Sequence, residues 1–220
     1  MGDYAPTSRQ PFACANKLSS ASTLLLMLLE EVAHPRIVAI CGSLGEDSST
    51  RRACELALAI AQTEGARTEL VDLREWNLPF AASGFDPSEW PDAARLNELV
   101  GQSEGLLWAT PEYHGSYSGV LKNALDLGSF DQYEGKAVAL LGVAGGAIGA
   151  TQSLGHLRGI ARTLHCLCIN EQVSIARAYS AFDADGQLKD PKLAAGLEHM
   201  VRELVRWSKI ARALTQKAGA

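Results

Sequence analysis

Five short runs of mostly apolar residues restrict the fold of this chain more than any other feature. The runs are residues 37–41 (IVAIC), 68–73 (TELVDL), 105–110 (GLLWAT), 137–143 (AVALLGV) and 164–169 (LHCLCI). Apolar runs of this length are expected for β-strands that are buried on both faces of a sheet. The sequence therefore predicts five strands.

The segments between these runs predict helices, because their apolar residues recur at the helical period. The expected helices begin near Ser48, Pro91, Ser118, Gly149 and Asp190. Strands that alternate with helices, joined by right-handed crossovers, form a doubly wound parallel sheet. We therefore predict an α/β fold with helices on both faces of one sheet.

Length and charge limit the possible functions. The chain has 220 residues, which fits one domain, and its net charge of −5 includes no basic cluster for binding nucleic acid. Residues 1–34, with Pro6, Pro11 and scattered Ser and Thr, are expected to form a poorly ordered N-terminal extension, with Met27 as an alternative start. We expect the folded domain to span residues 35–214 and a C-terminal tail to follow over residues 215–220.

The sequence does not predict a membrane span, a metal site or a disulfide framework. The longest apolar run near the N-terminus, residues 24–29, is too short to cross a bilayer, and no cleavage pattern follows it. Five cysteines at irregular spacings are typical of buried apolar cysteines in a cytosolic protein. We expect a soluble, cytoplasmic protein that holds no metal.

Three predicted strand ends carry sequences suited to binding a ligand. The carboxyl ends of parallel strands meet at one edge of the sheet, where ligands bind at the point of reversal in strand order. The first loop, with Ser43, Ser48, Ser49 and Thr50, precedes a helix and offers hydroxyls beside free backbone amides, which suits a phosphomonoester. A plain serine-rich helix cap is the alternative interpretation.

The second and third loops suit a flat heterocycle. Tyr113 and His114 offer a planar surface and polar edge groups, and Gly115 allows a tight turn. Residues 144–147 (AGGA) are nearly bare backbone, which permits close approach of a flat ligand. Together the three loops match the parts of flavin mononucleotide (FMN).

Two of these segments resemble signature sequences of the NADPH-dependent FMN reductase family. Residues 42–50 (GSLGEDSST) are similar to the pattern G-S-L/R-R-x-x-S-x-N. Residues 111–126 (PEYHGSYSGVLKNALD) are similar to P-E-Y-N-G-S-Y-P-G-x-L-K-N-A-L-D, and the glycines at 145 and 146 stand where the family has a glycine loop. The resemblance extends over about residues 35–214 and implies a flavodoxin-like fold with strand order 2-1-3-4-5.

The resemblance also implies a set of residues that contact FMN. They are Ser43, Ser48, Ser49, Thr50, Pro111, Glu112, Tyr113, His114, Gly115, Ala144, Gly145, Gly146 and Ala147. No catalytic side chain is assigned, since the flavin itself carries the chemistry. Gly45 stands where relatives often have an arginine, which leaves open whether NADPH or NADH is preferred, and His114 replaces an asparagine.

The leading functional hypothesis is an FMN-dependent NAD(P)H oxidoreductase that passes electrons to a quinone, free flavin, azo compound or metal ion. By resemblance, a homodimer or homotetramer is expected. The alternatives are a non-enzymatic electron carrier of the flavodoxin type and a flavin-free interaction module. Electron carriers are usually more acidic than this chain, which disfavours the first alternative.

Overall fold

The structure contains one five-stranded parallel sheet. The computed structural model describes residues 34–218, with side chains up to residue 213, so that the predicted N-terminal extension lies, except for His34, outside the described residues. The strands are β1 (Arg36–Cys41), β2 (Arg67–Asp72), β3 (Gly105–Pro111), β4 (Ala137–Val143) and β5 (Leu167–Ile175). Their order is β2-β1-β3-β4-β5, which confirms the predicted flavodoxin-like topology.

Helices cover both faces of the sheet, as predicted. They are α1 (Ser49–Thr63), α2 (Pro91–Gly101), α3 (Gly119–Asp126), α4 (Phe130–Tyr133), α5 (Thr151–Thr163), α6 (Ala178–Ala181) and α7 (Pro191–Ala218). Apolar residues of α1 and α7 pack on one face, and those of α2, α3 and α5 pack on the other. Two short 3-10 turns, Leu73–Glu75 and Pro87–Glu89, lie in the connection between β2 and α2.

The two central strands form the most deeply buried part of the core. Every residue of β3 and β4 is buried, which explains why their sequences are unbroken apolar runs. At the start of β3, a Cβ atom on Gly105 would lie 2.6 Å from the Cδ1 atom of Ile37 and would also collide with Ser208. The glycine therefore lets α7 pack directly on the sheet.

The predicted position of the fifth strand is wrong. The structure has β5 at Leu167–Ile175 rather than at residues 164–169. Leu164 caps α5 and His165 has a φ of +58°, so that both belong to the turn before the strand. Because β5 is an edge strand, burial varies along it, and residues 170–175 lack the continuous apolar run that marked the central strands. This stretch was expected to be irregular.

Helix boundaries also differ from the prediction in detail. The fifth helix starts at Thr151 and not near Gly149, whose φ of +80° belongs to the preceding turn. Helix α7 continues to Ala218, beyond the expected start of the tail at residue 215. The four-residue helices α4 and α6 were not predicted, since neither is long enough to show a helical period.

The expected burial of the cysteines is confirmed for Cys41 and Cys54. Cys41 and Cys54 are fully buried, and Cys166 and Cys168 are half-buried; all four are free thiols, while Cys14 lies outside the described residues. The hydrogen bond between the first two lowers the pKa of Cys41, and the same bond together with burial raises the pKa of Cys54. Burial raises the pKa of Cys166 to about 12. These thiols act as packing groups.

Within residues 34–218, no helix combines the length and the apolar character that crossing a bilayer requires. In the same part of the chain, no three His, Cys, Asp or Glu side chains are grouped so that they could hold a metal ion.

Candidate functional site

A hollow of about 210 Å³ opens at the carboxyl-terminal edge of the sheet. The loops after β1, β3, β4 and β5 all contribute to it, and β1 and β3 flank the point where the strand order reverses. The lining residues are Ser43, Gly45, Asp47, Ser48, Ser49, Thr50, Pro111, Glu112, Tyr113, Val143, Ala144, Gly145, Ala178 and Tyr179. Larger hollows of about 560 and 380 Å³ lie near the amino-terminal ends of the strands, where topology does not favour a ligand.

The first turn of α1 forms one end of the hollow. Ser48 caps the helix, and its hydroxyl accepts a hydrogen bond from the Arg51 amide at 3.1 Å. The amides of Ser49 and Thr50 precede the first intrahelical bonds, so that they have no acceptor within the helix. Ser43 and Thr50 are 6% and 2% exposed, and yet both line the hollow. The arrangement suits an anion that accepts several hydrogen bonds.

The first and second loops are joined beneath the hollow by Ser118. The Ser118 hydroxyl donates to the Gly42 carbonyl at 2.6 Å, and the Ser118 amide donates to the Thr110 hydroxyl at 2.9 Å. The Gly42 amide donates to the Ala109 carbonyl at 2.8 Å. A Cβ atom on Gly42 would lie 2.7 Å from the Cβ atom of Leu121, so that only glycine permits this approach. Ser118 and Gly42 were not predicted as site residues.

A tight turn presents the tip of the second loop. Tyr113 and Ser116 exchange backbone hydrogen bonds at 2.9 and 3.1 Å, and His114 and Gly115 between them have φ values of +52° and +76°. Positive φ at both central positions defines a type I′ turn, which asparagine, aspartate and histidine tolerate better than most residues. Among the described residues, the amides of His114 and Gly115 have no acceptor, so that both are available to a ligand.

Glu112 has a structural partner that its sequence context did not reveal. Its amide donates to the Val143 carbonyl at 2.8 Å, and its carboxylate accepts from the amide and hydroxyl of Ser153 at 3.1 and 3.0 Å. Ser153 lies in the first turn of α5, whose N-cap Ala150 has no capping side chain. The carboxylate therefore caps α5 from the second loop.

Helix α5 holds the second loop at two further points. Ser116 Oγ lies 3.0 Å from His156 Nδ1, and the rings of Tyr117 and His156 pack edge-to-face at 6.3 Å. The Gln152 side chain lies beside Gly115, where a Cβ atom would be 3.3 Å from its Oε1 atom. The turn is thus fixed by side chains of α5 as well as by its own backbone.

The third loop is bonded to the segment after β5. Ala144 donates to the Ile175 carbonyl at 2.8 Å, Ala178 donates to the Ala144 carbonyl at 3.1 Å, and Arg177 donates to the Gly146 carbonyl at 3.0 Å. These bonds bring α6 into the rim, so that Ala178 and Tyr179 line the hollow. Sequence reasoning missed both residues, because it ended the fifth strand too early.

The cations nearest the first loop are already paired. Arg52 contacts Asp47 at 2.8 Å, and Arg51 lies 3.3 Å from Oδ2 of the buried Asp72. That Oδ2 atom has no hydrogen-bond donor among the described residues, so the Arg51 charge compensates its burial. An anion at α1 would therefore be bound by amides and hydroxyls.

The structure brings most of the predicted site residues together. Nine line the hollow, namely Ser43, Ser48, Ser49, Thr50, Pro111, Glu112, Tyr113, Ala144 and Gly145. Four lie on the same loops without lining it, namely His114, Gly115, Gly146 and Ala147. That these residues contact a cofactor stays a prediction.

The chain resembles known flavin-dependent reductases over most of its length. The family model for NADPH-dependent FMN reductase matches residues 35–180. The NADPH-dependent FMN reductase ArsH of Rhizobium meliloti (strain 1021) is 31% identical over 184 residues, which cover 81% of this chain and 74% of ArsH. A 2-hydroxy-1,4-benzoquinone reductase of a Burkholderia species is 30% identical over 178 residues, covering 78% of this chain and 95% of that enzyme.

Solved structures show the same fold. The flavoenzyme NAD(P)H:(acceptor) oxidoreductase FerB from Paracoccus denitrificans superposes with a TM-score of 0.71 at 24% identity, over 80% of this chain and 98% of FerB.

Removing the Glu112 carboxylate should weaken the junction between the second loop and α5. Glu112→Ala removes both contacts with Ser153, and loss of a helix cap costs about 1 kcal/mol, with more expected for a charged acceptor. We expect the free energy of unfolding in urea to fall by about 1–2 kcal/mol. Ser153→Ala should cost about half as much, because the amide contact remains.

A double-mutant cycle isolates this contact. The combined variant should depart from additivity by at least about 0.5 kcal/mol, since both substitutions remove the same interaction. Glu46→Gln, at an exposed carboxylate of the first loop, is the control and should change stability by less than about 0.5 kcal/mol. Strictly additive effects would show that the Glu112 carboxylate and the Ser153 hydroxyl do not interact.

Proposed function

The chain belongs to the NADPH-dependent FMN reductase family, and we propose that the hollow at the carboxyl edge of its sheet is its FMN site. FMN is the cofactor and NAD(P)H the co-substrate of this family. One observation carries the proposal: the N-terminus of α1, the second loop (residues 111–117, which includes the type I′ turn) and the third loop (the glycine loop) all surround one hollow.

The residues of the hollow fit a phosphorylated planar ring. The hydroxyls of Ser43 and Thr50 and the first-turn amides of α1 suit a phosphate, which accepts several hydrogen bonds. Next to the lining residue Tyr113, the free amides at His114 and Gly115, which do not line the hollow themselves, suit the carbonyls and nitrogens of a heterocycle that extends beyond it. Gly145 adds a wall of bare backbone to the hollow.

The chain contributes binding and orientation rather than reacting groups. FMN, when bound, supplies the redox chemistry by accepting hydride from a reduced nicotinamide and passing electrons to a second substrate. The first turn of α1 anchors the phosphate end. The type I′ turn, fixed by Glu112 and Ser116 against α5, orients the ring edge.

We propose that the acceptor is a small oxidised molecule, namely a quinone, free flavin, azo compound or metal ion. The similarity to a 2-hydroxy-1,4-benzoquinone reductase supports a quinone first. Four free cysteines in the described region agree with the reducing conditions of the cytoplasm, although the location itself stays a prediction.

Anaerobic mixing with NADPH tests the reductase function. The visible absorbance of the FMN-loaded protein should bleach promptly, and a parallel experiment with NADH measures the nucleotide preference. Re-oxidation by a quinone, free FMN or a ferric salt then identifies the acceptor. An FMN-loaded protein that neither NADPH nor NADH reduces would instead be an electron carrier, the second candidate.

Thr50→Val tests the position of the phosphate. The substitution keeps the shape of the side chain and removes one hydroxyl from the hollow. Because a hydrogen bond to a charged group contributes about 1.5–3 kcal/mol, we expect the Kd for FMN to rise at least about tenfold in a fluorescence titration.

Riboflavin, which lacks the phosphate, is the matched control. Its Kd should be much higher than that of FMN in the wild type and should not change in Thr50→Val. Equal loss of affinity for both ligands would place the phosphate away from α1.

We also propose that the site is completed by a second copy of the chain, in a homodimer or homotetramer. The hollow of about 210 Å³ is small for an FMN site, since ligand pockets usually enclose about 300–1,000 Å³. Beside it, Leu44 of the first loop and Phe80 are 51% and 88% exposed and line an apolar hollow with Trp76, Leu78 and Val120. Exposed apolar surface of this kind marks interaction sites.

Sedimentation equilibrium measures the number of chains in the assembly directly. We expect two or four chains in the wild type and dissociation in Phe80→Asp, because a charge would be buried in the interface. Phe130→Asp, near the amino-terminal end of β4, is the control. It should leave the assembly intact if the contact between copies lies at Phe80. A monomeric wild type would contradict the proposal.

A further inference from the structure

Tyr179 is an aromatic residue held at the rim of the hollow with its ring in solvent. The residue is 95% exposed, the highest value among the large hydrophobic residues of the described chain. It nevertheless lines the same hollow as Ser48 and Tyr113. A large exposed ring at a binding site is available to a ligand in a way that a packed core aromatic is not.

The backbone that carries Tyr179 is firmly anchored. Ala178 and Arg177 donate to the carbonyls of Ala144 and Gly146, so that α6 is bonded to the third loop on its amino-terminal side. On its other side, Lys189 donates to the Ala181 carbonyl at 3.0 Å. The backbone of Tyr179 is therefore held in place at the rim.

The Tyr179 ring lies close to Gly145. A Cβ atom at Gly145 would lie 2.9 Å from Cε2 of Tyr179 and 3.5 Å from its Cζ and hydroxyl oxygen. The glycine therefore leaves the space in which the ring lies, on the third-loop side of the hollow. Any larger residue at this position would displace the ring.

Backbone strain is located immediately before the same residue. Arg177 has φ and ψ of +47° and +48°, a left-handed conformation that non-glycine residues avoid. Such conformations persist where the surrounding structure imposes them, and they are frequent at ligand sites. Here the conformation turns the chain from β5 into α6 and so brings Tyr179 to the rim.

We propose that Tyr179 is a cofactor-contacting residue that stacks against the flavin ring system of bound FMN. The proposal rests on the FMN site proposed above and adds a fourth wall, contributed by α6, to its three loops. Aromatic rings stack in offset or edge-to-face arrangements, and Tyr179 offers its ring from a fixed backbone beside the bare Gly145.

FMN titration of apo-protein carrying Tyr179→Ala tests the contact. Stacking of this kind corresponds to about a two- to tenfold change in Kd, and we expect the Kd for FMN to rise by that factor. Bound FMN should also become more fluorescent, because a stacked tyrosine quenches the flavin. Tyr179→Phe and Tyr179→Trp should keep the affinity, since both retain an aromatic face.

Two controls separate this contact from a general loss of structure. Tyr179→Ala should not shift the melting temperature of the apo-protein, because the ring is exposed. Phe130→Ala, which removes a half-exposed ring from the other edge of the sheet, should change neither Kd nor fluorescence.

The outcomes also distinguish this inference from the proposed function. If the wild type binds FMN but Tyr179→Ala binds it with the same Kd and the same fluorescence, the stacking contact is refuted and the FMN site stands. If the wild type binds no FMN, the proposed site fails, and the contact fails with it.

Discussion

The close approach of the first two loops at Gly42 is the constraint on which the rest of the rim depends. The Ser118 hydroxyl reaches the Gly42 carbonyl at 2.6 Å, and the Cβ atom of Leu121 occupies the space that a side chain at residue 42 would need. The contact joins the end of β1 to the segment after β3. These two strands flank the point where the strand order reverses. It thereby fixes the distance between the first turn of α1 and the 111–117 turn.

Further hydrogen bonds extend this fixed spacing around the rim. Glu112 connects the second loop both to β4, through its amide, and to α5, through its carboxylate. The third loop is in turn bonded to the residues after β5. Because each loop is bonded to its neighbour, the rim has few ways to rearrange, and less ordering entropy would oppose the binding of a ligand there.

The sequence predicted those parts of the fold where burial is uniform. Strands β3 and β4 are buried on both faces, and their apolar runs predict their bounds to within one residue. The edge strand β5 has a mixed pattern, and its bounds were predicted wrongly. That error hid Tyr179, which lines the hollow. Had the strand been predicted to end at Ile175, its carboxyl end would have brought Tyr179 to the rim.

Motif similarity found the loops but not the role of each side chain. That Glu112 contacts the cofactor stays a prediction, and the structure adds that its carboxylate bonds Ser153, a residue 41 positions away that no local pattern links to it. His114 differs from the usual asparagine, yet the left-handed turn position explains why both residue types are tolerated there. Local sequence therefore constrains backbone conformation more directly than it constrains long-range hydrogen bonds.

The charges around the first loop determine how an anion would be held there. Arg51 is paired with Glu55 and with the buried Asp72, Arg52 is paired with the exposed Asp47, and Gly45 offers no side chain at all. A phosphate at this turn is attracted by amides and hydroxyls that act only over hydrogen-bonding distances, with the helix dipole adding a contribution confined to the first turn. Free guanidinium groups would attract many anions from a distance, and salt would screen them. Neutral donors at this turn would instead select a phosphate by its fit to the hydrogen-bonding positions.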